Sequence, residues 1–231
     1  MTPRAIKSRS ALIVSPSYAD YGDACRMAGA KVKRFFLKAA DNFETDAEKL
    51  SRMAKSFDTV IIGNPNNPTG TVIDRKLLLR LMDKNRRTMF IVDESFMDFV
   101  PEQSLLRSLR KNLVIIRSLT KFYGIPGLRA GFAAAHPDTT KKLWSHKEPW
   151  SVNCMAESFV LNLSEAGFDS GKVIKNSVRE IQYLHKNLSA INGIKVFPAK
   201  ANFLLARLRG QSATAGQARP RGTYTAPSLK A

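Results

Sequence analysis

Three side chains that could do chemistry follow short apolar runs of this sequence. Asn67, Asp93 and Lys121 each lie shortly after a stretch rich in Val, Ile, Leu, Met or Phe. An amide can hydrogen-bond a ligand oxygen, a carboxylate can pair with a cation, and an amine can add to a carbonyl group. A charged residue next to a buried apolar strand needs a partner, because an unpaired buried charge is costly. The three positions therefore indicate a ligand site.

The elements that must position these residues alternate between two kinds of pattern. Helical spacing occurs over 19–28, 45–55 and 75–83, and the predicted strands are Ala11–Val14, Lys31–Leu37, Thr59–Ile62, Met89–Val92 and Leu113–Ile116. This alternation favours right-handed crossovers and a mainly parallel sheet with helices on both faces. Ligands of such sheets bind at the carboxyl ends of the strands, where Asn67, Asp93 and Lys121 are expected to lie.

The second half of the chain changes character twice. After Lys141 the pattern is mainly helical, with a long helix over 168–188 that is followed by short predicted strands at 195–197 and 202–208. From Gly210 onward the sequence is rich in Gly, Ser, Thr, Ala, Pro and Arg without hydrophobic periodicity, which is typical of disorder. We predict a large domain over 1–165, a connecting helix with a partial small domain over 166–209, and a disordered or aberrant tail over 210–231.

The composition bears on partners and location. The 231 residues carry a formal net charge of +18, a value that a nucleic-acid-binding protein would also have. The basic residues are spread along helical faces, and no known nucleic-acid-binding module is recognisable in the sequence. We therefore favour a solvated basic surface and a phosphorylated small ligand over a nucleic-acid partner. No apolar run approaches the roughly 20 residues that cross a bilayer, and we expect a cytoplasmic protein without a membrane partner. His136, His146 and His185 lack metal-ligand spacing, so no metal is predicted.

Four short motifs occur in an order that resembles a known family. They are Asn64–Gly70 (Asn-Pro-Asn-Asn-Pro-Thr-Gly), Val92–Glu94, Ser118–Lys121 and Gly127–Arg129. Together they resemble the class I/II aminotransferase superfamily of fold-type I enzymes, which depend on pyridoxal 5′-phosphate (PLP). The resemblance implies an α/β, PLP-dependent transferase-like large domain with a mainly parallel central sheet flanked by helices. It also implies that the second part of the chain is the remnant of an α+β small domain.

The resemblance assigns a role to each matching residue. Lys121 matches the lysine that forms a Schiff base with PLP, and Asp93 matches the carboxylate that pairs with the pyridine nitrogen and keeps the ring an electron sink. Asn67 matches the amide that hydrogen-bonds the phenolic oxygen, and Ser118 and Arg129 match contacts to the phosphate. Imine chemistry favours a lysine removed from water, so we expect Lys121 to be desolvated.

Two further residues match the family, and two assignments have simple structural alternatives. Tyr18 matches the aromatic side chain that stacks on the cofactor ring, and Asn202 matches an asparagine that contacts the substrate. Tyr18 could instead be a core aromatic, and Ser118 could instead be a helix cap.

Two branches of the family act on phosphorylated substrates, and the local sequence of this chain resembles one branch more than the other. Segments Arg117–Arg129 and Pro149–Asn153 resemble decarboxylases of threonine phosphate, which release aminopropanol phosphate in cobalamin biosynthesis. Aminotransferases of histidinol phosphate are the alternative, but they usually have a tyrosine where this chain has Phe96. The resemblance therefore implies a PLP-dependent lyase, active as a homodimer, with a phosphorylated amino-acid substrate.

The chain lacks counterparts of two parts of the family pattern. Upstream, no Gly-rich turn and helix start is found that could hold the PLP phosphate through backbone amides. Downstream, no arginine in a matching motif is found for the substrate carboxylate. We therefore expect a chain truncated at both ends, and an inactive remnant of the enzyme stays an alternative.

Overall fold

Segments of five or six residues form the strands of a six-stranded sheet. The computed structural model describes residues 2–163 and 165–208, so the predicted tail over 210–231 lies outside the described residues. The strands are β1 Ser10–Ser15, β2 Lys31–Phe36, β3 Thr59–Gly63, β4 Met89–Asp93, β5 Leu113–Ser118 and β6 Gly131–Ala135. Their order is β2-β1-β3-β4-β5-β6, and every pair is parallel except β5 with β6. The predicted α/β fold with a mainly parallel sheet is confirmed.

Strand β6 was not predicted from the sequence. Its residues are Gly-Phe-Ala-Ala-Ala, which lack the β-branched side chains that mark a strand. It is placed by its partner, because Gly131 pairs with Ser118 in an antiparallel ladder. A Cβ atom on Gly131 would lie 2.5 Å from the Arg117 carbonyl oxygen, so this close approach requires glycine.

The helices connect and cover these strands. They are α1 Thr2–Ala5, α2 Asp20–Met27, α3 Ala47–Ala54, α4 Arg75–Lys84, α5 Leu119–Phe122, α6 Pro137–Trp144, α7 Cys154–Asn162 and α8 Ser170–Ser189, with 3₁₀ turns at Ala39–Asp41, Met97–Phe99, Pro101–Gln103, Leu106–Ser108 and Pro126–Leu128. Helix starts follow capping chemistry: for example, Asp46 accepts a hydrogen bond from the Lys49 amide at 2.8 Å and Asp74 accepts one from the Lys76 amide at 2.9 Å.

The core consists of two apolar clusters, one on each face of the sheet. Val60 and Ile62 of β3 belong to one cluster, whereas Ile61 belongs to the other. Strand β4 alternates in the same way, with Val92 in the first cluster and Ile91 in the second. Successive strand residues point to opposite faces, and both faces are covered, so these strands are apolar throughout.

The last described part of the chain packs back onto the sheet unit. Helix α8 leads to a small antiparallel hairpin of β7 Ile194–Val196 and β8 Ala206–Leu208. The loop between these strands contacts the turn after β3, where the Lys200 amide donates to the Gly70 carbonyl at 2.8 Å. None of the helices in residues 2–163 and 165–208 is long and apolar enough to cross a membrane. The domain boundary near residue 165 stays a prediction.

Gly70 gives a test of this packing. Its φ is +69°, and a Cβ atom there would lie 2.5 Å from the Ala199 Cβ. Gly29 also has a positive φ, +78°, but a Cβ there would meet nothing within 4 Å. Gly29→Ala should cost about 1–2 kcal/mol of unfolding free energy through its backbone conformation alone. Gly70→Ala should cost a further 1–3 kcal/mol, roughly, through the overpacking of Ala199.

Urea unfolding of the two variants measures the difference between them. Equal destabilisation by Gly70→Ala and Gly29→Ala would show that the β7–β8 loop does not rest on the turn.

Candidate functional site

One cavity lies at the carboxyl ends of the parallel strands. Its volume is about 230 Å³, and it is lined by Tyr18, Tyr21, Pro65, Asn67, Asp93, Ser95, Phe96, Ser118, Thr120, Lys121 and Arg129. Six of the seven residues predicted from the sequence are among them, Asn202 being the exception. The register explains this convergence, because Gly63 of β3 pairs with Asp93 of β4, and Asp93 pairs with Ile116 of β5. Three strands thus end at nearly the same level.

Asp93 is the last residue of β4, and its carboxylate is held by the protein itself. Its Oδ2 accepts a hydrogen bond from the Tyr21 hydroxyl at 2.6 Å. Its Oδ1 accepts one from the Ser95 amide at 2.9 Å and another from the Ser95 hydroxyl. The sequence argument that this carboxylate needs a partner is therefore met in part by Tyr21 and Ser95.

Tyr21 was missed by the sequence analysis. Its ring packs against the second core cluster, and burial, followed by the nearby Asp93 charge, raises the pKa of its hydroxyl well above the ordinary value. The hydroxyl therefore stays protonated and donates to Asp93. A signal was present in the sequence, because Tyr21 lies only three residues after Tyr18, in the first turn of the helix predicted over 19–28. The two rings are 5.8 Å apart at their centroids in an edge-on arrangement.

The turn after β3 is fixed by its own asparagines. The Asn64 side chain accepts from the Ile73 amide at 2.7 Å and donates to the Ile73 carbonyl at 3.2 Å. The Asn66 side-chain amide donates to the Pro16 carbonyl at 2.9 Å and to the Thr69 hydroxyl at 2.8 Å. With both ends of the turn anchored, half-buried Asn67 lines the cavity.

Ser118 and Lys121 belong to the junction between β5 and α5. The Ser118 hydroxyl accepts from the Thr120 amide at 3.3 Å and shares a 2.7 Å hydrogen bond with the Thr120 hydroxyl. Ser118 is therefore the N-cap of α5, as the alternative interpretation stated, and it lines the cavity as well. Lys121 lies one turn further along and is exposed. The expected desolvation of Lys121 is not provided by the described residues.

Tyr18 and Arg129 line the cavity from outside the core. Tyr18 is 48% exposed, so it is not a core aromatic. Arg129 is also exposed, adopts a left-handed backbone with a φ of +54°, and donates from Nη1 to the Pro126 carbonyl at 3.0 Å. Both side chains present polar or aromatic groups to a ligand rather than packing against the sheet.

The structure does not bring Asn202 to the cavity. Asn202 is exposed and absent from the cavity lining. Its neighbour Phe203 contacts Phe96, a lining residue, with ring centroids 4.8 Å apart. The predicted contact of Asn202 with a substrate therefore stays a prediction.

A buried ion network lies directly behind the cavity, and the sequence analysis missed it. Arg117 is 9% exposed and donates to Glu94, which is fully buried, at 3.0 Å, and also to Asp98. Glu94 further accepts from the Ser104 hydroxyl at 2.8 Å and the Leu105 amide at 2.7 Å. Burial raises the pKa of Asp98, an effect that the Arg117 charge opposes. Glu94 follows Asp93 and Arg117 precedes Ser118, so this network fixes two positions of the site.

The donor set of the cavity fits PLP. It combines a lysine amine for an aldehyde, a carboxylate for a pyridinium and an amide for a phenolic oxygen. An arginine and the Ser118 hydroxyl could bind a phosphate. A mainly parallel α/β sheet that carries these groups at its carboxyl edge defines the class of fold-type I PLP-dependent enzymes.

The family model described as aminotransferase class I and II matches residues 2–219, so the chain belongs to this family. It is 33% identical over 210 residues to the threonine-phosphate decarboxylase of Salmonella typhimurium, an alignment that covers 87% of this chain and 57% of that protein. It is 32% identical over 204 residues to the histidinol-phosphate aminotransferase of Caldanaerobacter subterraneus, with the same coverage of each chain. The chain thus spans 57% of the length of these two relatives.

Solved structures agree with the family. The histidinol-phosphate aminotransferase of Clostridium acetobutylicum superposes with a TM-score of 0.80 at 29% identity, covering 90% of this chain and 65% of that one. That of Sinorhizobium meliloti, solved in complex with pyridoxal-5′-phosphate, shares the fold with a TM-score of 0.78 at 16% identity, covering 89% of this chain and 58% of that one. The comparisons indicate pyridoxal 5′-phosphate as the cofactor of the family.

Arg117→Met tests the buried network. Removal of the guanidinium leaves the buried Glu94 and the partly buried Asp98 without their cation, which should cost about 3–5 kcal/mol of unfolding free energy. Arg179→Met is the matched control, because Arg179 pairs with Glu180 on the surface, where their side chains are 72% and 63% exposed. The control should be nearly neutral in urea unfolding. A neutral Arg117→Met would contradict the structural importance assigned to the network.

Proposed function

We propose that this protein binds PLP covalently through Lys121 and decarboxylates L-threonine O-3-phosphate to aminopropanol phosphate. One observation carries the cofactor part of this proposal. Residues predicted from four separate motifs, together with Tyr18, line a single cavity at the carboxyl edge of the sheet. Chance placement of an amine, a carboxylate, an amide and a guanidinium around one cavity is a poor alternative.

Each side chain has a defined task in this proposal. Lys121 would hold the cofactor, because its amine can bond covalently to an aldehyde carbon with loss of water. Asp93 would hold a proton at the ring nitrogen, and the Asn67 side-chain amide would donate a hydrogen bond to the phenolic oxygen. Ser118 and Arg129 bind the phosphate. When bound, the cofactor supplies an electron-withdrawing ring for the electron pair released at the substrate α-carbon.

Decarboxylation is the favoured reaction because of local sequence. The segments Arg117–Arg129 and Pro149–Asn153 resemble the corresponding segments of the decarboxylases. A threonine-phosphate decarboxylase is among the most similar relatives, at 33% identity. Phe96 lines the cavity without the hydroxyl that the aminotransferase branch usually has there. Histidinol-phosphate transamination is the second candidate, since an aminotransferase relative is 32% identical. In either case we propose a homodimer and a phosphorylated amino-acid substrate.

The covalent step is tested by adding PLP to the purified chain, reducing with borohydride and mapping the modified lysine by mass spectrometry. The expected result is a visible absorbance band and a single modified site at Lys121. Lys121→Ala should lose both signals. Lys186→Ala, which removes an exposed lysine on α8, is the matched control and should retain them. Modification at scattered lysines, equally in all three proteins, would contradict the proposal.

The reaction is tested by supplying carboxyl-labelled threonine phosphate to the PLP-loaded chain and collecting labelled carbon dioxide. We expect release from threonine phosphate that requires Lys121, and no amino transfer from histidinol phosphate to an oxo acid. Amino transfer without carbon dioxide release would favour the second candidate instead.

A further inference from the structure

The Asp93 carboxylate is held at both of its oxygens by residues from different elements. Tyr21 in α2 donates to Oδ2 at 2.6 Å, across 72 positions of sequence. The amide and hydroxyl of Ser95, just beyond β4, both donate to Oδ1. With one oxygen fixed from α2 and the other from its own loop, the carboxylate cannot rotate freely.

The number of free acceptor sites on Asp93 indicates which of its oxygens a further donor can reach. An ionised carboxylate has about four acceptor sites, two on each oxygen. Oδ1 accepts two hydrogen bonds from Ser95 and Oδ2 accepts one from Tyr21. The remaining site lies on Oδ2, the oxygen that Tyr21 holds. A further donor that reaches Asp93 from the cavity is therefore directed to Oδ2.

The neighbouring strand leaves room for the Tyr21 hydroxyl. Gly63 is the last residue of β3 and pairs directly with Asp93. A Cβ atom on Gly63 would lie 3.1 Å from the Asn66 Oδ1, a crowded contact, and 3.4 Å from the Tyr21 hydroxyl, an ordinary one. Gly63 therefore borders the hydroxyl, which reaches Asp93 on the neighbouring strand. The ring alone would pack against its apolar neighbours equally well as a phenylalanine, so the hydroxyl has a separate role.

We propose that Tyr21 is a positioning residue that presents Asp93 Oδ2 to the ring nitrogen of the cofactor. This inference rests on the proposed function, in which Asp93 faces that nitrogen. Tyr21 itself does not touch the cofactor nitrogen in this account. Its hydroxyl fixes the plane of the carboxylate and shares Oδ2 with the incoming N–H group.

Comparing the affinities for PLP and for a PLP analogue distinguishes this positioning role from a role in packing. Tyr21→Phe is titrated with PLP and with its 1-deaza analogue, in which carbon replaces the ring nitrogen. The apparent dissociation constant for PLP should rise roughly tenfold, the effect of weakening one hydrogen bond to a charged group. Affinity for the analogue should change less than about twofold, because it has no nitrogen for Asp93 to meet. Tyr183→Phe, an exposed tyrosine on α8, is the matched control and should leave both constants unchanged.

A double-mutant cycle tests the coupling between Tyr21 and Asp93 without the cofactor. In the cofactor-free chain, Tyr21→Phe and Asp93→Asn should lower the melting temperature by less together than the sum of their separate effects. Additive effects would show that the two side chains are not coupled.

The outcomes separate this inference from the proposed function. Absence of PLP binding at Lys121 in the unaltered chain would overturn the proposed function and this inference with it. Normal binding by the unaltered chain, with Tyr21→Phe weakening PLP and its analogue equally, would overturn the inference alone and assign Tyr21 to packing.

Discussion

The ion network around Arg117 is the constraint on which the geometry of the cavity depends. Arg117 near the end of β5 donates to buried Glu94, which directly follows β4, and so joins the carboxyl ends of two neighbouring strands. A buried charge without its partner is costly, so neither strand end can move independently. Asp93 and Ser118, the chain neighbours of this pair, line the cavity. A structural pair behind the sheet edge thereby fixes two site residues in front of it.

A second constraint acts within the cavity itself. The Asp93 carboxylate is close to saturated with hydrogen bonds from Tyr21 and Ser95, and this limits where another donor can approach. Lys121 differs, because it is exposed and its amine is not fixed by burial. The site therefore combines a rigid anion with an accessible nucleophile.

The sequence predicted the features that depend on local chemistry. Five parallel strands were expected at nearly the right residues, because four of them are short apolar runs and β2 alternates. Asn67, Asp93 and Lys121 were expected at the ends of three of these runs, and all three line the cavity. Features that depend on distant contacts were missed. Strand β6 has no strand-like composition and is placed by pairing with β5, and Tyr21 meets Asp93 only after folding. Asn202, matched by resemblance alone, lies outside the cavity lining.

The branch of the family depends on contacts other than these. Decarboxylase and aminotransferase use the same cofactor chemistry, and the bond that breaks is the one held perpendicular to the ring plane. Substrate contacts set that orientation, whereas the roles proposed for the cavity residues concern the cofactor. The central claim is therefore the covalent PLP site. A crystal structure of the chain grown with PLP tests it most directly. We expect continuous density from Lys121 Nζ to the cofactor, with the ring nitrogen at Asp93 Oδ2. Cofactor density elsewhere on the chain, with Lys121 unmodified, would contradict it.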